Sequence, residues 1–378
     1  GSTLMIRRIL ALVKKEFLHL KSDWWLPAFM LFGGALELLA IGWATSRPIT
    51  NLPLMIWDMD RTAASRNLVI SLENTGVFTL TEPADSMERI ESLMDQGEIN
   101  AAVIIPHGFS SEIETIGGHP ILQVILNGAE SIPAREVLRA VEGVVRSLDE
   151  EITIDHLGID PDLFKGFDFS LRVWFNEALN EAYYTTPAEL ALMLEFTILI
   201  FAALTFSRER EFGTLEQLLV MPFSSIEIII GKSIPVILIG MFDFSLMLGV
   251  VHFAFKVPIR GSALLLFGLA FVYTLVELGK GMAISVFSKS QHQAFLLVFM
   301  VGMVDFLFTG YAAPVESMPK VIQYLAYLVP AHHWLNIMRG ITLKGSSIVD
   351  ILPNFLFLLG LGGVIGFFSL RYIRKALD

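Results

Sequence analysis

Residues Pro187 to Phe206 read PAELALMLEFTILIFAALTF, and the chain runs from them straight into Ser207-Arg208-Glu209-Arg210-Glu211-Phe212-Gly213. A bilayer core about 30 Å thick needs ~20 mostly apolar helical residues to cross it. Only Glu189 and Glu195 interrupt this stretch. The alternative is a buried core helix of a soluble fold, but soluble folds rarely carry six runs of this kind, and this chain has six. The stretch therefore reads as a membrane span that ends in a charged run where the chain meets water.

Five more stretches satisfy the same test: Trp24 to Thr45, Ser233 to Phe255, Ser262 to Phe287, Gln293 to Val315 and Ile351 to Leu370. The expected fold is an α-helical polytopic membrane protein with six transmembrane helices. Positive charge sets sidedness. Arg7, Arg8, Lys14, Lys15 and Lys21 precede the first span, and Arg208, Arg210 and Lys232 lie between the second and third. Lys289 follows the fourth, and Arg371, Arg374 and Lys375 follow the sixth. Six alternating helices bring all four groups to one side, so both termini are expected in the cytoplasm. Residues 1–23 place Ile6, Ile9, Leu10, Val13, Phe17 and Leu20 near helical spacing, with basic residues between them. They read as an amphipathic helix at the inner interface.

Composition agrees. Of 378 residues, 54% are hydrophobic and 17% charged, against roughly 25% charged in soluble domains. The net charge of -11 is unevenly spread. Residues 46–186 hold 23 acids and 9 bases, so the rest of the chain carries a small basic excess. A disordered chain and a nucleic-acid binder are excluded. With no cysteine, disulfides, thiolate metal sites and cysteine nucleophiles are excluded too.

The acidic segment 46–186 is expected outside the membrane, between the first and second spans. Leu52 to Trp57, Val77 to Thr81, Ile99 to Ile105 and Ile121 to Leu126 read as strands. Ser65 to Glu73, Asp85 to Gln96, Phe109 to Ile116 and Ile132 to Ile154 read as helices, with Asp85 as an N-cap backed by Glu88. Phe169 to Phe175 reads as a closing strand. The alternation implies an inserted α/β domain. His107, His119 and His156 lack metal-ligand spacing, and no hydrolase motif appears. No catalytic, cofactor-binding or metal site is expected, and the domain reads as a docking module.

The segment after the second span, Ser207 to Pro222, has its own local logic. Gly213 can end the helix. Thr214 with Gln217 reads as a capping box for a short helix that Pro222 stops, and Ser224 with Glu227 reads as a second box leading into the third span. Such a short helix suits the receipt of force from a cytoplasmic partner.

This segment resembles the loop that follows the second span in the type-2 family of ATP-binding-cassette (ABC) transporter permeases. The resemblance continues in order through Pro222, Gly231-Lys232, Ser288 to Ala294 (SKSQHQA), Gly310 to Pro319 (GYAAPVESMP), Arg339-Gly340 and Leu343-Lys344-Gly345. The insert after the first span is similar to the external domain of the drug- and lipid-export branch. The resemblance implies that Glu209 to Val220 form a coupling helix seated on an ATPase. Arg208, Glu209, Arg210, Glu211, Gly213, Thr214, Leu215, Glu216 and Gln217 would then be the coupling residues within the loop 207–232. Two permease copies, identical or paralogous, would surround the path. Re-entrant-like helices over 311–345 would form an external gate with Pro314, Glu316 and Pro319. An external adaptor protein and membrane lipid join the expected partners, in a bacterial inner membrane.

A P-loop needs G-x-x-x-x-G-K-[ST]. Gly231-Lys232-Ser233 supplies only its tail, with Ile226 where the first glycine belongs. The chain is therefore expected to bind no cofactor and to be no enzyme. ATP and Mg belong to a partner ATPase.

Glu37, Glu195, Asp243, Glu277 and Asp305 lie within spans, with Lys280 and His252. A charge at the centre of a bilayer costs roughly 2.5–3.5 kcal/mol on insertion scales, so these groups must pair, protonate or face water. Glu277 and Lys280 share a helix face and can pair. Asp243 and Asp305 show no local partner. The resembled family is more apolar at Glu277 to Lys280 and at Asp305. Asp243, Glu277, Lys280 and Asp305 are the candidate transport path. The expected function is the permease of an exporter of amphiphilic compounds such as drugs or lipids, working by ATP-driven alternating access. Two other readings stay open: a proton-coupled secondary transporter using these carboxylates, and a membrane anchor that presents the insert to a partner.

Overall fold

The computed structural model describes residues 2–46, 49–115, 118–129, 131–157, 176, 180–311 and 313–377. The chain divides into two compact units, Gly1–Arg47 with Arg172–Asp378, and Pro48–Leu171. The first unit opens with α1 (Ser2–Ser22) and α2 (Trp25–Thr45).

The second unit follows with β1 (Leu52–Asp58), α3 (Ala63–Asn74), β2 (Phe78–Leu80), α4 (Met87–Asp95), β3 (Ala101–Ile105), α5 (Phe109–Glu114), β4 (Gln123–Leu126) and α6 (Ser131–Leu157). The sheet order is β2-β1-β3-β4, parallel except for β3 with β4. Alternation along the two central strands feeds two cores. Leu54, Ile56, Val103 and Ile105 pack with Leu68, Leu72, Val137 and Val141 on one face, whereas Met55, Ala102 and Ile104 pack with Ile90 on the other. A parallel pair covered on both faces is an α/β arrangement. The N-cap of α4 is Ser86, not Asp85. Ser86 has extended backbone, and its hydroxyl accepts the amide of Arg89. The closing strand expected at Phe169 to Phe175 lies outside the described residues.

The chain returns to the first unit with α7 (Ala182–Glu211), α8 (Leu215–Val220), α9 (Ser225–Phe255), α10 (Ala263–Phe287) and α11 (Gln291–Phe308). A 3-10 turn (Val315–Ser317), α12 (Lys320–Ala326), α13 (Pro330–Arg339), a π-turn (Gly340–Lys344) and α14 (Ile348–Leu377) complete it. Among the described residues six helices are long and apolar enough to cross a membrane: α2, α7, α9, α10, α11 and α14. The protein is thus a multi-pass membrane protein with an inserted α/β domain. The fifth span stops at Phe308 rather than Val315. Gly310 takes a left-handed turn at φ +85°, and Pro314 follows it, so the helix cannot continue. With 7 and 10 residues, α12 and α13 are too short to span.

Helix α7 is the axis of this unit and is buried along most of its length. It meets α10 closely because Gly281 has no side chain: a β-carbon there would stand 2.6 Å from Ala202 Cβ. Small residues let apolar helices approach where no hydrophobic drive exists between them. The bundle has two distinct ends. At one, α1, α8, the end of α7, the start of α9 and the ends of α10 and α14 gather around Phe206 and Arg210. At the other, Tyr183 donates to the Lys256 carbonyl, Tyr184 to the Gly310 carbonyl, and Arg339 to the Tyr184 carbonyl.

Candidate coupling loop and transport path

The coupling loop is two pieces rather than one helix. Arg208, Glu209, Arg210 and Glu211 still belong to α7, and the short helix is α8 alone. Gly213, at φ +67°, makes the turn between them. Thr214 precedes α8 but makes no capping box with Gln217. Its backbone is helical and its hydroxyl turns back to the Glu209 carboxylate. The Ser224 and Glu227 box is formed, each side chain closing on the other's backbone amide.

Two sets of side chains separate here. Glu209 points inward. Its Oε1 accepts from Lys15 at 2.7 Å and from Lys232 at 3.1 Å. Lys232, 2% exposed, also donates to Glu16 Oε1 at 2.6 Å and to the Thr205 carbonyl at 3.1 Å. Arg208 pairs with Asp23, and Arg210 donates to the carbonyls of Val286 and Ser288. Glu211 accepts the Gln291 amide at 2.7 Å. Gly213, Glu216 and Gln217 face outward with Phe212, Val220 and Met221, while Leu218 buries in the bundle. The outward apolar trio is an exposed surface that the charge pattern of the loop did not single out. The tethers to Lys15 and Glu16 of α1, and to Asp23 just after it, also escape sequence reasoning, because they join positions about two hundred residues apart.

Glu16, His19 and Glu209 bring ligand atoms within 4.8 Å of one another. The ammonium of Lys232 already stands between the two carboxylates, so the protein supplies its own cation there.

The candidate path residues fall into two places. Glu277 and Lys280 pair at 2.7 Å, as their spacing implies. Asp305 does have a partner: Lys280 Nζ reaches its Oδ2 at 2.5 Å and Glu195 Oε1 at 3.0 Å. Asp243 stands apart on α9, fully buried. Neither of its oxygens has a hydrogen-bond partner among the described residues, and the Thr197 hydroxyl is the polar group beside it.

Between α2, α7 and α11 lies a cavity of about 810 Å³. Phe29, Phe196, Phe295, Phe299, Met193 and Met303 contribute to its apolar wall, and Glu37 is the one acid among its described lining residues. Just beyond, Tyr311 donates to Glu189 Oε2 at 2.6 Å. Burial, and then that carboxylate, push the Tyr311 hydroxyl above its ordinary value. Of the candidate gate residues, Pro314 opens the 3-10 turn and Pro319 the first turn of α12. The exposed Glu316 lends its carbonyl to Gln323 at 3.0 Å. Behind them, Arg339 lies 3.9 Å over the Tyr184 ring, and burial pulls its guanidinium below its ordinary value.

A sequence model of the ABC-2 family transporter proteins matches residues 24–371. The chain belongs to that family. Among its relatives in Escherichia coli, the probable multidrug ABC transporter permease YbhR is 29% identical over 350 residues, covering 93% of each chain. The probable multidrug ABC transporter permease YbhS is 27% identical over 378 residues, covering 97% of this chain and 96% of its own. The inner membrane transport permease YhhJ is 24% identical over 375 residues, covering 98% of both. The protein is thus an ABC-2 permease, a multi-pass transport subunit of the bacterial inner membrane. It is not itself an enzyme, and ATP hydrolysis belongs to a separate subunit. Such permeases pair with ABC ATPases and work as dimers.

Proposed function

We propose that this ABC-2 permease exports amphiphilic compounds by alternating access, and that the cavity between α2, α7 and α11 receives the cargo. The cavity carries the reading. Its volume of about 810 Å³ suits a drug-sized or lipid-like molecule. Its wall is aromatic and Met-rich, which adapts to varied apolar shapes. Glu37 supplies a carboxyl group that a cationic head would meet. The names of YbhR and YbhS, both probable multidrug permeases, point the same way.

The coupling end follows from the tethers. An ATPase, holding ATP and Mg, would press on the outward face of α8 at Glu216, Gln217 and Val220, and on Phe212 just before it. Glu209, held by Lys15 and Lys232, would pass that push to α7, the helix that lines the cavity. ATP then shifts the permease only in so far as it favours one conformation over the other. In this reading both termini and α8 lie on the cytoplasmic side, a second permease closes the path, and Pro314, Glu316 and Pro319 belong to the outer gate.

The test is ATP-driven uptake of a fluorescent cationic amphiphile into vesicles holding the permease and its ATPase. Ala40 lines the cavity and is exposed to it. Ala40→Trp should fill the cavity and lower uptake several-fold while the ATPase stays bound. Undiminished uptake by that variant would remove the cavity as the cargo site.

A further inference from the structure

The side chain of Lys280 on α10 gathers three carboxyl groups from three helices. Its Nζ hydrogen-bonds Glu195 Oε1 of α7 at 3.0 Å and Asp305 Oδ2 of α11 at 2.5 Å. It stands 2.7 Å from Glu277 Oε2 on its own helix, out of line for a hydrogen bond. Glu195 and Glu277 are fully buried and Asp305 nearly so. One ammonium thus faces three acids inside helices read as membrane spans. With all three ionised, the site would hold two uncompensated negative charges. Carboxyl groups sharing a site this closely do not ionise together.

A second observation concerns the atoms left over. Glu195 Oε2, both oxygens of Glu277 and the Tyr273 hydroxyl are buried with no hydrogen-bond partner among the described residues. A bare carboxylate oxygen in such a place is the costly form, whereas an O–H can turn to a neighbour. Neighbours are at hand. The Asp305 carboxyl is the neighbour of Glu195, and the Tyr273 hydroxyl is the neighbour of Glu277.

We propose that Glu195, Glu277, Asp305 and Lys280 form a proton-binding site. Lys280 and Asp305 make the ion pair. Glu195 and Glu277 carry the protons, so that the four groups are neutral together. Among the described residues, the charged groups acting on Glu195 and Glu277 are those of the site itself. From α9, Asp243 faces Thr197 instead. From α13, Trp334 stacks on Tyr273 with ring centroids 5.1 Å apart. From α14, Ile365 and Gly366 meet Gly279. Protons enter past Lys280 and Asp305, whose side chains are 16% and 10% exposed. Because the acids sit on α7, α10 and α11, a movement that draws Asp305 away from Glu195 changes how many protons the site keeps. Transport then carries a proton uptake and release, whatever the cargo.

The proposal rests on the membrane-span reading and not on the cargo cavity, and its test needs neither ATPase nor substrate. The purified full chain in lipid nanodiscs is titrated while its infrared spectrum is recorded. A carboxylic-acid C=O band that shifts in D2O is expected at neutral pH. It should weaken in Glu195→Gln and in Glu277→Gln, persist in Asp243→Asn and Glu189→Gln, and be indifferent to sodium and potassium. The wild-type spectrum alone can overturn the idea, even if a variant fails to fold. No protonated band at neutral pH would do so. So would a band that appears only when sodium and potassium are withdrawn, because the site would then belong to a metal cation.

Discussion

Lys232 of α9 and Glu209 of α7 lie 3.1 Å apart, with side chains 1% and 4% exposed. The pair sits at the root of the loop expected to meet the ATPase, and α1 completes it through Lys15 and Glu16. Burial at this level makes the pair a joint between helices rather than a surface contact. Removing one partner leaves a charge with too few partners in a dry place. That divides the acids of the loop into two kinds.

Glu209→Gln should destabilise the chain by roughly 1–3 kcal/mol, the cost of leaving buried polar groups unsatisfied. Glu216→Ala should stay within about 0.5 kcal/mol of wild type, as exposed substitutions do, yet reduce stimulation of the partner ATPase. Thermal melts in detergent read the first effect, and ATP hydrolysis by the assembled complex reads the second. Equal stability loss in both variants would show that Glu209 is no tether.

Lys280→Met should be the more damaging change. It removes the one cation from among Glu195, Glu277 and Asp305. Breaking a buried ion group in this way costs about 3–5 kcal/mol. The double variant Lys280→Met with Asp305→Asn should recover part of the lost thermal midpoint, because fewer acids then need a counter-charge. No recovery would mean that Lys280 matters for its packing and not for its charge.

The long apolar runs were legible in the sequence because the bilayer demands them, and so was the α/β alternation of the insert. Ser224 with Glu227 was legible because a capping box is local. Thr214 with Gln217 looked alike, but the hydroxyl of Thr214 is taken by Glu209, and no short-range rule anticipates that competitor. The same limit hid the partner of Asp305. Lys280 stands 25 residues before it and 85 after Glu195, so only the packing of α7, α10 and α11 brings the three together. Glu209 was legible as a loop acid but not as a buried one, because α1 covers it from the far end of the chain.

The close approach of α7 and α10 turns on Gly281. A β-carbon there would lie 3.1 Å from the Leu199 carbonyl as well as against Ala202. Gly281→Val should therefore part the two helices and cost about 1–3 kcal/mol, the usual range for overpacking. Gly249, with open space around it, is the control: Gly249→Ala should leave the melting curve in place. If both variants melt like wild type, the helices do not meet as described.

The segment expected to gate the path has a pH signature of its own. His332 on α13 is buried, and burial pulls its imidazole below its ordinary value, with His333 adding to the effect. The Thr309 carbonyl and Glu316 oppose it. In the folded chain His332 thus resists a proton that the unfolded chain accepts near pH 6.5. At about pH 8 both states are neutral at this position and nothing is lost. As the pH falls below about 6.5 the unfolded state binds more protons, so stability declines until the folded imidazole also titrates. The melting midpoint should therefore drop between about pH 7.5 and 5.5, and His332→Gln should flatten part of that drop. Glu316→Gln should steepen it, since Glu316 is the carboxylate that favours the charged imidazole. Identical pH slopes in wild type and His332→Gln would mean that the acid sensitivity arises elsewhere in the chain.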